Sequence, residues 1–441
     1  MTRPINFIEL AKITPEARTK LLTRTEADLA TYEAKVRLII EAVRAEGDTA
    51  LARFAREFDK SPVEANAIAA TEADFAEAEK NLDPKVRDAM AFAADSIRKF
   101  HEDQKPEEMW LHEVRPGVFA GDRSSPIPSV ACYIPRGKGA FPSVALMTTI
   151  PAKVAGVEQI CIITPPGPDG KIDAATLVAA RMAGVSKVFK AGGAQGVAAV
   201  AYGTQTIPKC TKIIGPGSLW VAAAKRLVAH LIDTGTPAGP SEVIIFADAT
   251  TDGRLAGLDL LIEAEHGPDS SAYLVTWSRK VAEDALAAIP GYWKTMGAQR
   301  VDFSSTVLSG PIGGIVLAPD EEAAIAFVND YAPEHLEVLS KEPFQYLGRL
   351  KHAGEILLGE HSPTTLGNFV IGPNHVLPTS GWAKTASAVS VFDFMKRTSI
   401  AYVTSAGYPE LAKNARTIAT YEGFEAHANA VSPMRDKILK G

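Results

Sequence analysis

With 441 residues, the chain exceeds the roughly 250–300 residues at which one hydrophobic core stops growing, so at least two domains are expected. Hydrophobic residues make up 46% and charged residues 22%, which excludes an intrinsically disordered or fibrous chain. A net charge of -6 argues against nucleic acid, which needs a clustered basic surface, and points to small-molecule partners.

The first residues mix Arg3, Glu9, Lys12 and Glu16 with apolar ones, which is not the pattern of a secretory leader, and no apolar run is long enough to span a bilayer. Cys132, Cys161 and Cys210 are odd in number and form no CxxC pair, as expected of a cytoplasmic protein without a disulfide framework. From residue 26 to about 100, apolar residues recur at helical intervals (Val36, Ile39, Ile40, Val43; Leu51, Phe54, Phe58), predicting a helical lobe. From Ser129 onward, short strand-like runs at 130–134, 160–163 and 187–190 alternate with Ala-rich helical stretches, the signature of βαβ units. A second set follows at 242–246, 272–276 and 314–317, with helices predicted over 255–266 and 320–328, and after about residue 391 a short, mostly helical tail.

Several fragments carry chemistry. AGGAQG at 191–196 follows a strand and could place backbone N–H groups near a phosphate, although a plain tight turn explains its glycines equally well. GPG at 215–217 reads as a turn before a helix, and PAGPSE at 237–242 places Ser241 at the entry to a strand, without the GxSxG elbow of a serine nucleophile. Glu263 and His266, three apart at a helix end stopped by Gly-Pro, share a face and could form half of a divalent metal site, or simply complement the helix dipole. Glu334 and His335 follow a proline that enters a turn or helix, and could each serve a separate proton transfer. The Gly/Pro-rich stretch 367–381, with Asn368, Asn374 and His375, reads as a site-lining loop. EGFEAHANAV at 422–431 adds Glu422 and His427 on a polar tail helix.

In order, AYGT at 201–204, GPG at 215–217, PAGPSEV at 237–243, EAEHGPDS at 263–270, APEHLE at 332–337, NHVLPT at 374–379, DFMKR at 393–397 and EGFEAHANAV at 422–431 resemble the histidinol dehydrogenase family over about residues 25–435. The resemblance implies an α/β fold: two incomplete Rossmann-like domains, small N- and C-terminal helical extensions and an intertwined homodimer. The domains would be 1–24 (extension), 25–132 with 241–389 (first Rossmann-like domain), 133–240 (NAD-binding domain) and 390–441 (helical extension reaching the partner's active site). It also implies NAD and zinc as cofactors, and two successive oxidations from alcohol through aldehyde to carboxylate. Tyr133, Gln195 and Ser218 fall at cofactor-contacting positions, Ser241 and Glu422 at substrate contacts, and Glu334 and His335 at the catalytic pair. Glu263, His266, Asn368 and His427 fall at the zinc ligands and beside the substrate, with His427 expected from the partner chain.

Three positions depart from the family pattern: Glu263 and Asn368 stand where Gln and Asp are usual, and Ser218 replaces Asn. The amide and the carboxylate have exchanged places, which conserves the summed charge around the metal. These changes point to a paralogue of the sulfopropanediol 3-dehydrogenase type, oxidising 2,3-dihydroxypropane-1-sulfonate to 3-sulfolactate, with Asn368 and Lys384 as candidate sulfonate donors. Histidinol oxidation and a non-catalytic metabolite-binding module are the alternatives.

Overall fold

Runs of β-branched residues with both faces buried decide the layering, because such strands need helices on each side. In the computed structural model, which describes residues 3–24, 29–136 and 139–440, the strands are β1 (Phe7–Glu9), β2 (Met109–Arg115), β3 (Val118–Pro126), β4 (Ser129–Tyr133), β5 (Gln159–Thr164), β6 (Val188–Lys190), β7 (Lys212–Ile214), β8 (Glu242–Ala247), β9 (Ser271–Thr276), β10 (Gly313–Leu317), β11 (His335–Leu339), β12 (Glu355–Leu358) and β13 (Met395–Val403). A six-stranded parallel sheet has the order β1-β10-β9-β8-β11-β12, and a four-stranded parallel sheet the order β6-β5-β4-β7. Two helix-flanked parallel sheets are the expected α/β architecture.

The described residues form two compact units: Met1–Gln104 with Ile127–Phe394, and Lys105–Pro126 with Met395–Gly441. The first holds both parallel sheets. In the second, β3 pairs antiparallel with both β2 and β13, and the helices Tyr408–Tyr421, Glu425–Ala430 and Pro433–Lys440 follow.

The layering divides the chain differently from the expected domains. Val36, Ile40, Leu51 and Phe54 of the N-terminal helical lobe share one buried cluster with Ala131, Ile163 and Ile213, so this lobe covers the four-stranded sheet instead of joining the layer of residues 241–389. Ser129–Tyr133 is an interior strand of that same sheet, so the expected break at 132/133 falls inside a strand. The tail from residue 391 is mostly helical as expected, but it opens with an unexpected strand, because β13 pairs along nine positions of β3. The expected boundary at 24/25 abuts residues 25–28, which lie outside the described residues. No helix among the described residues is long and apolar enough to cross a membrane.

Candidate active site

β11 and the helix Gly253–Ala264 bring the acid–imidazole pairs together. Glu334 and His335 stand at the start of a strand, not of a helix, and β11 lies between β8 and β12. The register pairs His335 with Val243 and with Glu355, and the Glu355 carboxylate lies 3.0 Å from His335 Nδ1. Nδ1 therefore donates its proton to Glu355, which leaves Nε2 as the ring nitrogen that exchanges a proton with the cavity. Glu334 Oε2 accepts the Glu242 N–H at 2.9 Å, and its other oxygen is 4.0 Å from His335 Nε2.

Burial pushes Glu334 up to about 8, reinforced by Glu263 and opposed by His335 and the Glu242 N–H. For His335, burial acts downward, but the Glu355 hydrogen bond and the charges of Glu334 and Glu263 outweigh it and raise the ring to about 9. The two groups thus titrate together, as an acid and a base sharing a water-poor pocket do.

The helix Gly253–Ala264 ends at the Glu265 C-cap, which leaves His266 just beyond it. His266 Nδ1 lies 3.1 Å from the Ile262 carbonyl and 3.1 Å from Glu263 Oε2. Both neighbours are acceptors, so Nδ1 holds the proton and Nε2 is free for a metal. Asn368 belongs to the short helix Thr364–Phe369, not to a loop, and its Nδ2 donates to Glu263 Oε1 at 2.7 Å. Burial acts to raise Glu263, yet the His266 and His335 charges and the Asn368 amide hold it below the ordinary carboxylate range. A carboxylate, an amide oxygen and an imidazole are donors that suit zinc. No group of three His, Cys, Asp or Glu side chains that could hold a metal occurs among the described residues, so the site needs a further donor.

Ser218, Ser241, Glu263, His266, Glu334, His335 and Asn368 line one cavity of ≈780 Å³. Ser218, at a helix N-cap, makes no side-chain capping hydrogen bond. Tyr133 and Gln195 sit at the carboxyl edge of the four-stranded sheet, where the Tyr133 hydroxyl accepts the Gly193 N–H at 3.2 Å. Gly193 takes φ +55°, the tight turn expected in AGGAQG, whereas Gly196 lies within the helix Gly193–Tyr202. Glu422 and His427 belong to the second unit, at the C-cap of one helix and within the next.

Lys384, a candidate sulfonate donor, does not line the cavity; its Nζ donates to the Asp330 carbonyl. Asn368 likewise spends an N–H on Glu263. Residue-by-residue reading did not assign roles to Glu355, Lys85, Arg136 or His375. Lys85, Arg136 and His375 line the cavity, and His375 Nε2 is buried without a hydrogen-bond partner among the described residues. Burial and the nearby His335 charge drive His375 down to about 4, so it is neutral. His375 lay within the NHVLPT motif, whereas the Glu355 partnership depends on strand register that no local pattern displays.

The family model for histidinol dehydrogenase matches residues 22–435. The chain is 61% identical over 437 residues to a histidinol dehydrogenase homolog 2 of Mesorhizobium japonicum, covering 99% of each chain. It is 48% identical over 431 residues to a histidinol dehydrogenase of Synechocystis, covering 98% of each. The crystal structure of histidinol dehydrogenase from Elizabethkingia anophelis superposes with a TM-score of 0.92 at 31% identity, covering 100% of both chains. An imidazole braced by a strand-paired carboxylate, beside a Glu–His–Asn donor group, therefore sits within a chain that belongs to the histidinol dehydrogenase family, whose members are NAD-dependent, zinc-containing oxidoreductases.

Proposed function

We propose that the chain oxidises a small anionic primary alcohol through the aldehyde to the carboxylate, with 2,3-dihydroxypropane-1-sulfonate as substrate and 3-sulfolactate as product. The observation that carries the chemistry is one cavity lined by His335, Glu334 and the Glu263–His266–Asn368 donor group. His335 Nε2 accepts the alcohol proton as hydride leaves carbon for NAD. Glu334 then draws a proton from water, which adds to the aldehyde, and the hydrate yields the second hydride to a second NAD. One alcohol, one water and two NAD give one carboxylate, two NADH and three protons. Bound zinc supplies Lewis-acid polarisation of the substrate oxygen.

The anionic substrate is supported by Lys85 and Arg136 lining the cavity and by the exchanged pair Glu263 and Asn368. Relatives named histidinol dehydrogenase homolog match at 57–61% identity, above the 48% of one named histidinol dehydrogenase, which supports a paralogue. We further propose a homodimer in which His427 of a second copy completes the zinc ligands and Glu422 supplies a substrate contact. The test compares NADH formation with dihydroxypropanesulfonate and with histidinol on zinc-loaded enzyme. A higher kcat/KM for the sulfonate supports the reading, and a higher value for histidinol replaces it.

A further inference from the structure

A second cavity, of ≈640 Å³, is within the size range of small-molecule sites. Two turns divide it from the catalytic cavity. Gly217 lines both, whereas its neighbours Pro216 and Ser218 line the catalytic one alone. Likewise the chain passes from Pro237 and Ala238 in the second cavity to Gly239, Pro240 and Ser241 in the first.

The charges on its wall are unevenly matched. Arg24 pairs with Glu242 and donates to the Leu22 and Tyr331 carbonyls, and Arg226 pairs with Glu33 at 3.3 Å. Lys225, on the helix Leu219–Val228, has no carboxylate partner among the described residues; its Nζ donates to the Gly215 carbonyl at 2.7 Å. Burial and the Lys212 charge push this ammonium down to about 8. An ammonium carries three protons to donate, and withdrawing it from water with one carbonyl as partner is costly unless a counter-charge arrives.

A second, independent feature marks the same wall. Ser380 lines the cavity and takes φ +57°, a left-handed conformation that non-glycine residues seldom adopt and that clusters at ligand sites. Its N–H is held by Glu242 Oε1 at 2.9 Å. Leu22, Val221 and Trp382 supply apolar wall.

We propose that this cavity binds an amphipathic organic anion, whose oxyanion head meets Lys225 and Ser380 and whose apolar body lies against Leu22, Val221 and Trp382. The site is distinct from the catalytic cavity, so the anion binds alongside NAD.

The probe is 8-anilinonaphthalene-1-sulfonate, titrated by its fluorescence into enzyme with and without saturating NAD. N-phenyl-1-naphthylamine, which has the same rings without the sulfonate, is the uncharged control. Lys225→Met removes the charge, Ala222→Phe fills the cavity from its helical wall while leaving Lys225 in place, and thermal melts report folding. Wild type is expected to bind the sulfonate equally well with NAD present. Lys225→Met should weaken the sulfonate about tenfold or more, the loss typical of a charged hydrogen bond, and leave the neutral probe unchanged; Ala222→Phe should weaken both. Absence of sulfonate binding, its displacement by NAD, or unchanged affinity in Ala222→Phe overturns the site. Equal loss of both probes in a folded Lys225→Met overturns the role of the charge. Should Lys225→Met fail to fold, the preference of wild type for the sulfonate over the neutral probe, and its loss in Ala222→Phe, decide.

Discussion

Behind the donor group lies a second pair of acids whose geometry predicts how the site is held. Asp259 is one helical turn before Glu263, Glu337 is two residues along β11 from His335, and Thr364 is one turn before Asn368. Glu337 is 0% exposed and Asp259 5%. Thr364 donates both its N–H and its hydroxyl to Glu337 Oε2, at 2.8 and 2.9 Å. The remaining Glu337 Oε1 and Asp259 Oδ2 are buried, with no partner other than each other among the described residues. Burial raises both carboxyls, so the pair holds one proton that joins the helix Gly253–Ala264 to β11, while Thr364 joins the Asn368 helix to the same carboxylate.

Asp259→Ala removes the partner and strands Glu337 Oε1, at a cost of about 1–3 kcal/mol for an unsatisfied buried group. Asp259→Asn keeps a donor of the same shape and should cost less than about 1 kcal/mol. The pH sign follows from the native state binding the extra proton: stability falls as pH rises through the raised carboxyl values, and Asp259→Asn flattens that slope. Urea unfolding of the three proteins at several pH values reads the stabilities. Steady-state kinetics should show kcat lowered in the alanine variant and nearly preserved in the asparagine variant. Equal destabilisation by Asn and Ala, or an unchanged pH slope in Asp259→Asn, would refute a shared proton.

Three other outcomes are expected. A Cβ built on Gly367 lies 2.9 and 3.0 Å from the two Glu355 carboxylate oxygens, so Gly367→Ala should push Glu355 off His335 Nδ1 and lower kcat about tenfold or more, as loss of a base-orienting bond does; a wild-type kcat contradicts this. Glu334→Gln should release one NADH per alcohol and accumulate aldehyde, which single-turnover kinetics would detect; equal impairment of both oxidations removes Glu334 from the water step. Asp59, raised by burial to about 6 from 3.8, should cost the fold about 1–2 kcal/mol above that value after allowance for its partial exposure. The cost is absent near pH 4 and grows as pH rises to 6, so Asp59→Asn should raise the melting temperature at pH 7 and not at pH 4.

Legibility in the sequence follows the range of the interactions. The strands at 242–246 and 272–276 were readable because a buried parallel strand is an apolar run, and the helix ending near His266 because Gly267-Pro268 stops it. Glu334 and His335 were assigned to a turn or helix because Pro333 reads locally as a breaker. What makes their segment a strand is the pairing of β11 with both β8 and β12, a tertiary fact. The helical lobe was recognised, but not its placement, since a 3.6-residue period reports a buried face without naming the sheet it covers. β13 was missed for a related reason: its burial pattern shows seven exposed and two partly buried positions, so it lacks the apolar alternation that marks a half-buried strand.

The departures at Glu263 and Asn368 gain a physical meaning from their contact. Because Asn368 donates directly to Glu263 at 2.7 Å, one change without the other would bring either two carboxylates or two amides together. Two carboxylates at that distance would repel, and two amides would leave the metal without its anionic donor. The exchange conserves charge and hydrogen bond while moving the negative oxygen from the short helix at 364–369 to the helix at 253–264. At the proposed zinc site this exchange would keep the cation's field and turn the neutral face toward Asn368, which supports the proposed change of substrate rather than new chemistry at Glu334 and His335.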